Sequence, residues 1–151
     1  MTKAIPEGYH TLTPYLSVAD ADKAIAFYKE ALGAKELFRL PMPNGKIGHA
    51  ELEIGTSRLM LADEAPEWGN KSAKTYGGSP IGLAIYTEDV DALAARFVKA
   101  GGKVVRPIED QFYGDRSGRF EDPEGFTWTL AQHIEDVSAE EMQKRMAKLG
   151  S

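Results

Sequence analysis

The chain has 151 residues, 42% of them hydrophobic and 27% charged, a net charge of −5 and a pI of about 5.2. That length suits one folded unit that buries roughly 68–70% of its unfolded surface, and the composition is that of a soluble globular protein. The negative balance argues against a nucleic-acid binder, which needs a basic footprint, and the absence of cysteine excludes disulfides, thiolate catalysis and Cys-ligated zinc.

Residues 12–18 alternate and carry β-branched and aromatic side chains, which predicts a strand. Asp20 then offers a side-chain acceptor for a helix start. Ala21, Ala24, Ile25, Tyr28 and Leu32 recur on one helical face, and Gly33 stands where a left-handed stop is wanted. Three strands follow at 35–40, 46–54 and 58–62, the first two joined at Asn44-Gly45, a dipeptide suited to tight hairpins. The unit reads βαβββ. Residues 63–79 read as a loop. A second unit then repeats the order: a strand at 81–87, a helix capped by Asp89 with Val90, Leu93, Ala94 and Phe97 inward, a stop at Gly101-Gly102, and strands at 103–108, 118–122 and 126–133. The last two are joined by Asp122-Pro-Glu-Gly, a type I turn pattern. A final helix begins at Ala139, where Ser138 and Glu141 form a capping box. Its face of Met142, Met146 and Leu149 is expected to pack on a partner subunit.

Two of these stretches, PYLSVADADKAIAFYKEALGAK and LAIYTEDVDALAARFVKAGGKV, are copies of one another, with Asp20 on Asp89, Tyr28 on Phe97 and Gly33 on Gly102. Two copies at half the chain length are not a solenoid, which needs three or more. The expected organisation is one domain over 1–151: module one at about 9–62, a linker at 63–79, module two at about 80–133 and a helix at about 138–149. No apolar run reaches the roughly 18 residues of a membrane span. The N-terminal MTKAIPEGYH lacks the apolar core of a signal peptide, so the expected location is cytoplasmic.

A tandem βαβββ pair resembles the vicinal-oxygen-chelate superfamily of glyoxalase I, bleomycin-resistance proteins and extradiol dioxygenases. More narrowly, GKIGHAELEIGTSRLMLADE, FYGDRSGRFEDPEG and QHIEDVSAEEMQKR resemble its PhnB-like branch. The resemblance implies an α+β fold in which the two modules form a cupped mixed sheet, with a C-terminal helix added. It also implies metal ligands on the first and last strands of each module. Those positions fall on Thr13, Met60, Gly82 and Thr129, none of which is His, Glu or Gln. Slipping the register by one residue brings in only Pro, Leu, Ile and Trp. A divalent cation there would be nearly unligated, so no metal and no cofactor are expected.

Alternation places Tyr15 beside Thr13 in the cup and sends Leu16 and Val18 to the core. His49, Glu51 and Glu53 share the face of the third strand opposite Ala50 and Leu52. His49 and Glu51 read as the wet face of a half-buried strand, as an acid–base pair, or as two ligands of a shifted metal site. His10 and His133 lack metal-ligand spacing to His49. In the loop EDQFYGDRSG, Arg116 reads either as a clamp for a carboxylate or as a surface ion pair, with Tyr113 beside it. Trp68 reads as a lid or stacking platform, or as cover for a sheet edge or dimer contact. Trp128 has core parity. The leading expectation is a metal-free, homodimeric protein that sequesters a small organic molecule through Thr13, Tyr15, His49, Met60, Trp68, Tyr113 and Arg116, with no nucleic-acid or membrane partner. The first rival is a glyoxalase-like lyase or isomerase, with or without a non-standard metal site, using His49 as base and Glu51 as its partner or as a metal ligand, with Arg116 or Tyr113 steadying an anionic intermediate. The second is a structural or regulatory dimerisation module.

Overall fold

The computed structural model describes residues 2–150. Strand β1 (Tyr15–Val18), helix α1 (Ala21–Leu32) and strands β2 (Lys35–Pro41), β3 (Ile47–Ile54) and β4 (Ser57–Asp63) form the first unit. Their sheet has the order β1-β4-β3-β2, with β1 parallel to β4 and the other pairs antiparallel. The second unit repeats this with β5 (Gly82–Tyr86), α3 (Val90–Lys99), β6 (Lys103–Asp110), β7 (Asp115–Glu121) and β8 (Thr127–His133), in the order β5-β8-β7-β6. Between the units the expected loop holds a 3-10 turn (Pro66–Trp68) and a short helix α2 (Ala73–Tyr76), whose start is capped by the buried Ser72. Helix α4 (Ala139–Leu149) ends the chain.

The caps act locally, as their residue types require. Asp20 accepts from the backbone N–H of Lys23, and Asp89 accepts from that of Ala92. Gly33 adopts φ 66° and returns its N–H to Lys29. At Ser138 only half of the capping box forms: the hydroxyl accepts from Glu141 N–H, while the Glu141 carboxylate turns to Arg145.

Helices α1 and α3 pack on each other, and each covers one face of its own sheet. Phe27 meets Phe97 edge to face at 5.1 Å, and Phe97 meets Phe120 at 5.6 Å, so the two units share one apolar core. Polar bonds cross the same boundary. The Tyr28 hydroxyl donates to Asp122 at 2.6 Å, and Ala19 N–H donates to Glu124 at 2.7 Å. Helix α4 has no buried residue; Arg145 fastens it through the Phe112 carbonyl and Glu135. Two strand starts differ from expectation. Strand β1 begins at Tyr15 rather than residue 12, leaving Leu12 87% exposed, and β7 begins at Asp115 rather than residue 118 because Asp115 pairs with His133 on β8. Among the described residues no helix is long and apolar enough to cross a membrane.

Candidate functional site

The first sheet buries Leu16, Leu52, Leu59 and Leu61 against its helix, which leaves the alternate residues on the helix-free face. Strand register sets Tyr15 beside Met60, Met60 beside Glu51, and Glu51 beside Phe38, a row that crosses all four strands. His49 stands two residues from Glu51 on β3. Its Nδ1 lies 2.7 Å from the Tyr15 hydroxyl and its Nε2 lies 2.8 Å from Glu51. A neutral imidazole satisfies both contacts by accepting from the phenol and donating to the carboxylate. The second Glu51 oxygen accepts from the Tyr9 hydroxyl. The His49 ring lies between those of Tyr15, at 5.4 Å, and Phe38, at 5.7 Å, so three rings form a stripe across the sheet. Desolvation by this packing raises the Tyr15 phenol above its ordinary pKa.

The structure thus joins Tyr15, His49, Glu51 and Met60, four of the residues the sequence proposed. Thr13 precedes β1 and lines a neighbouring cleft. Trp68 projects from the 3-10 turn at 83% exposure. Arg116 is not part of the cluster. It alternates with Asp115 and Ser117, so it points to the helix side of β7, where its guanidinium grips both oxygens of Asp91 and also reaches Asp110. Arg116 thus stands in surface ion pairs with Asp91 on α3 and Asp110 on β6. Tyr113 contacts Ser117 at 3.2 Å in the second unit. There a separate chain runs from the Tyr86 hydroxyl to Asp115, from Asp115 to His133, and from His133 to Asp136. Carboxylates at both ring nitrogens, Asp115 foremost, raise the His133 pKa. Sequence reasoning missed Tyr9, Phe38 and this second chain.

Register also refines the expected metal positions. The first-strand neighbours of Met60 and Thr129 are Tyr15 and Ala84, two residues beyond Thr13 and Gly82. Tyr, Met, Ala and Thr make no better donor set for a divalent cation. Among the described residues no three His, Asp or Glu side chains gather as metal ligands. The residues present do not fit the metal of the superfamily.

A cleft of about 550 Å3 lies between the two units, with Leu12 and Thr13 on one side, Leu83 and Ile85 on the other, and Leu93 and Arg96 from α3. Arg96 there donates to the Ala31 carbonyl at 3.4 Å near the C-terminus of α1, a position where helix-end carbonyls favour a cation.

Two linked βαβββ units matching the family model for the Glyoxalase/Bleomycin resistance protein/Dioxygenase superfamily over residues 9–130 place this chain in that superfamily. An uncharacterised protein of Mycobacterium tuberculosis strain H37Rv is 42% identical over 142 residues, covering 92% of this chain and 84% of that one. Lactoylglutathione lyase GLX1 of Arabidopsis thaliana is 31% identical over 116 residues, which span 76% of this chain and 41% of that enzyme. Among solved structures, TnmS3, an antibiotic-binding protein from a Streptomyces species, superposes with a TM-score of 0.64 at 29% identity, over 87% of this chain and 99% of that one.

Proposed function

We propose that this protein binds a flat small organic molecule on the helix-free face of its first sheet, without a metal, and holds it by stacking. The observation that carries the reading is the stripe of Tyr15, His49 and Phe38 with Met60 in the adjoining row. Tyr15 and Phe38 remain 51% and 47% exposed, so apolar ring area stands ready for a ligand beside the polar His49–Glu51 pair. The likeness to an antibiotic-binding protein over nearly its whole length supports a binding role of this kind. A thermal-shift screen of flat aromatic compounds tests it. A ligand at 100 times its dissociation constant adds about 2.7 kcal/mol to folding stability. The shift should survive dialysis against EDTA and Arg116→Ala, and should disappear in Phe38→Ser. A shift that requires added zinc, nickel or manganese would sink the metal-free reading.

We further propose a cytoplasmic, PhnB-like homodimer in which the exposed Met146 and Leu149 of α4 meet a second copy; a monomer in sedimentation at micromolar concentration would contradict the dimer. One observation favours a second reading, acid–base catalysis. The Tyr15–His49–Glu51 chain has the base-and-orienter geometry that proton transfer needs. In that reading His49→Ala abolishes turnover of a bound compound while the fold persists, and unchanged turnover removes His49 from the chemistry.

A further inference from the structure

Residues 2–12 run ahead of β1 without a helix or strand, and all of them except Tyr9 are exposed. Tyr9 is therefore their anchor. A turn closed by its N–H on the Pro6 carbonyl presents the side chain to the first sheet. There its hydroxyl donates to Glu51 and its ring stacks on the Arg58 guanidinium, 5.0 Å from the charge centre to the ring centroid. Gly8, at φ 83°, lies so close to Arg58 that a Cβ would fall 2.1 Å from its Nη2, so the backbone lies directly on the guanidinium. Arg58 is held from the other side by Glu53 at 3.3 Å. The site thus contains an aromatic alcohol supplied by its own chain.

Resting on the reading that this face binds flat organic molecules, we propose that its ligands carry an aromatic hydroxyl and that Tyr9 occupies their place until they displace it. Three features define the class. Glu51 is only 17% exposed and uses one oxygen on His49, so when Tyr9 leaves, the other oxygen requires an O–H or N–H donor. Arg58 offers a cation to a ring face, which favours a neutral aromatic and disfavours an ammonium group. A carboxylate ligand would meet Glu51 with like charge. A neutral aryl alcohol meets all three conditions, as the Tyr9 side chain itself does.

The hold of Tyr9 is local. Lifting residues 2–12 uncovers one partly buried side chain and breaks no strand pairing, so opening is cheap compared with unfolding. Apparent affinity is the intrinsic affinity reduced by the fraction of molecules with the segment lifted. Tyr9 therefore sets a threshold on ligand binding.

Calorimetric titration of the full chain with 2-naphthol, 2-methoxynaphthalene and 2-naphthoate tests the proposal. 2-Naphthol should bind about tenfold or more tighter than its methyl ether, the difference expected for a hydrogen bond to a charged acceptor, and 2-naphthoate should bind more weakly still. Tyr9→Ala should tighten 2-naphthol by about fivefold through release of the closed fraction, with Tyr9→Phe intermediate. Glu51→Gln should narrow the gap between naphthol and ether. Equal binding of naphthol and ether, lost in Phe38→Ser, would overturn the aryl-alcohol class while leaving the stacking face intact. Weaker naphthol binding in Tyr9→Ala would make Tyr9 a wall of the site and overturn its role as occupant. No binding of any probe to the native chain or to Tyr9→Ala would remove both this proposal and the face on which it rests.

Discussion

Tyr28→Phe removes a single hydroxyl at the junction of the two units. That hydroxyl donates to Asp122 at 2.6 Å, on the same carboxylate oxygen that receives Trp128 Nε1 at 2.8 Å. The other Asp122 oxygen receives the N–H groups of Glu124 and Phe126. Asp122 is 3% exposed, and among the described residues no ion pair reaches it, so these four donors replace its hydration. Phe keeps the ring packing against Trp128 and Phe27, and the loss is that of one buried bond to a charged acceptor, about 1.5–3 kcal/mol. For a chain of this size a loss of about 2 kcal/mol lowers Tm by about 4–8 °C. Burial raises the Asp122 pKa, and the Tyr28 bond is foremost among the contacts that lower it. Without that bond the folded-state value rises further above the unfolded one. The deficit is therefore full at pH 7 and shrinks as pH falls through the raised value and the carboxyl takes up its proton. Urea titrations of both proteins at pH 7 and pH 4 measure this. A deficit below about 0.5 kcal/mol at pH 7, or one that grows at pH 4, would refute the reasoning.

Three further outcomes follow from the packing and the charges. Phe97→Ala empties a fully buried position between Phe27 and Phe120 and should cost about 3–5 kcal/mol by chemical denaturation; a cost under about 1.5 kcal/mol would mean that the two units do not share this core. His133 has a folded pKa raised above its ordinary 6.5 by Asp115 and Asp136, so its contribution to stability is present below pH 6.5 and is lost as pH rises through the folded value. His133→Gln should therefore destabilise more at pH 6 than at pH 9, and a pH-independent difference would contradict the pairing. Arg145→Ala releases α4 from the Phe112 carbonyl and Glu135, so amide exchange across Ala139–Leu149 should accelerate about tenfold while α1 and α3 keep their protection. Unchanged exchange in α4 would show that another contact holds it.

What the sequence revealed was governed by locality. Asp20, Asp89, Gly33 and Ser138 each act within four residues, and each caps as its residue type predicts. Strand alternation correctly sent Trp128 to the core at 4% exposure and put His49 and Glu51 on one face. Pairing partners are non-local, and there the sequence reading was less informative. The first-strand neighbours of Met60 and Thr129 came out two residues away from the expected positions because register depends on hydrogen bonding between distant strands. A loop assignment gives Arg116 no parity; with β7 starting at Asp115, alternation turns Arg116 toward Asp91 on the helix side. Tyr9 lies in a segment with no periodicity, and only its contact with Glu51, 42 residues on, shows what it does.

The most direct test of the central claim is a map of backbone amide chemical shifts on titrating the EDTA-dialysed protein with 2-naphthol. The account predicts perturbations concentrated at Tyr15, Phe38, His49, Glu51 and Met60, with a second set at Tyr9 as that residue is displaced. Perturbations confined to Leu12, Leu83, Ile85 and Arg96 would place the ligand in the cleft between the two units instead, and would contradict the assignment of the site to the first sheet.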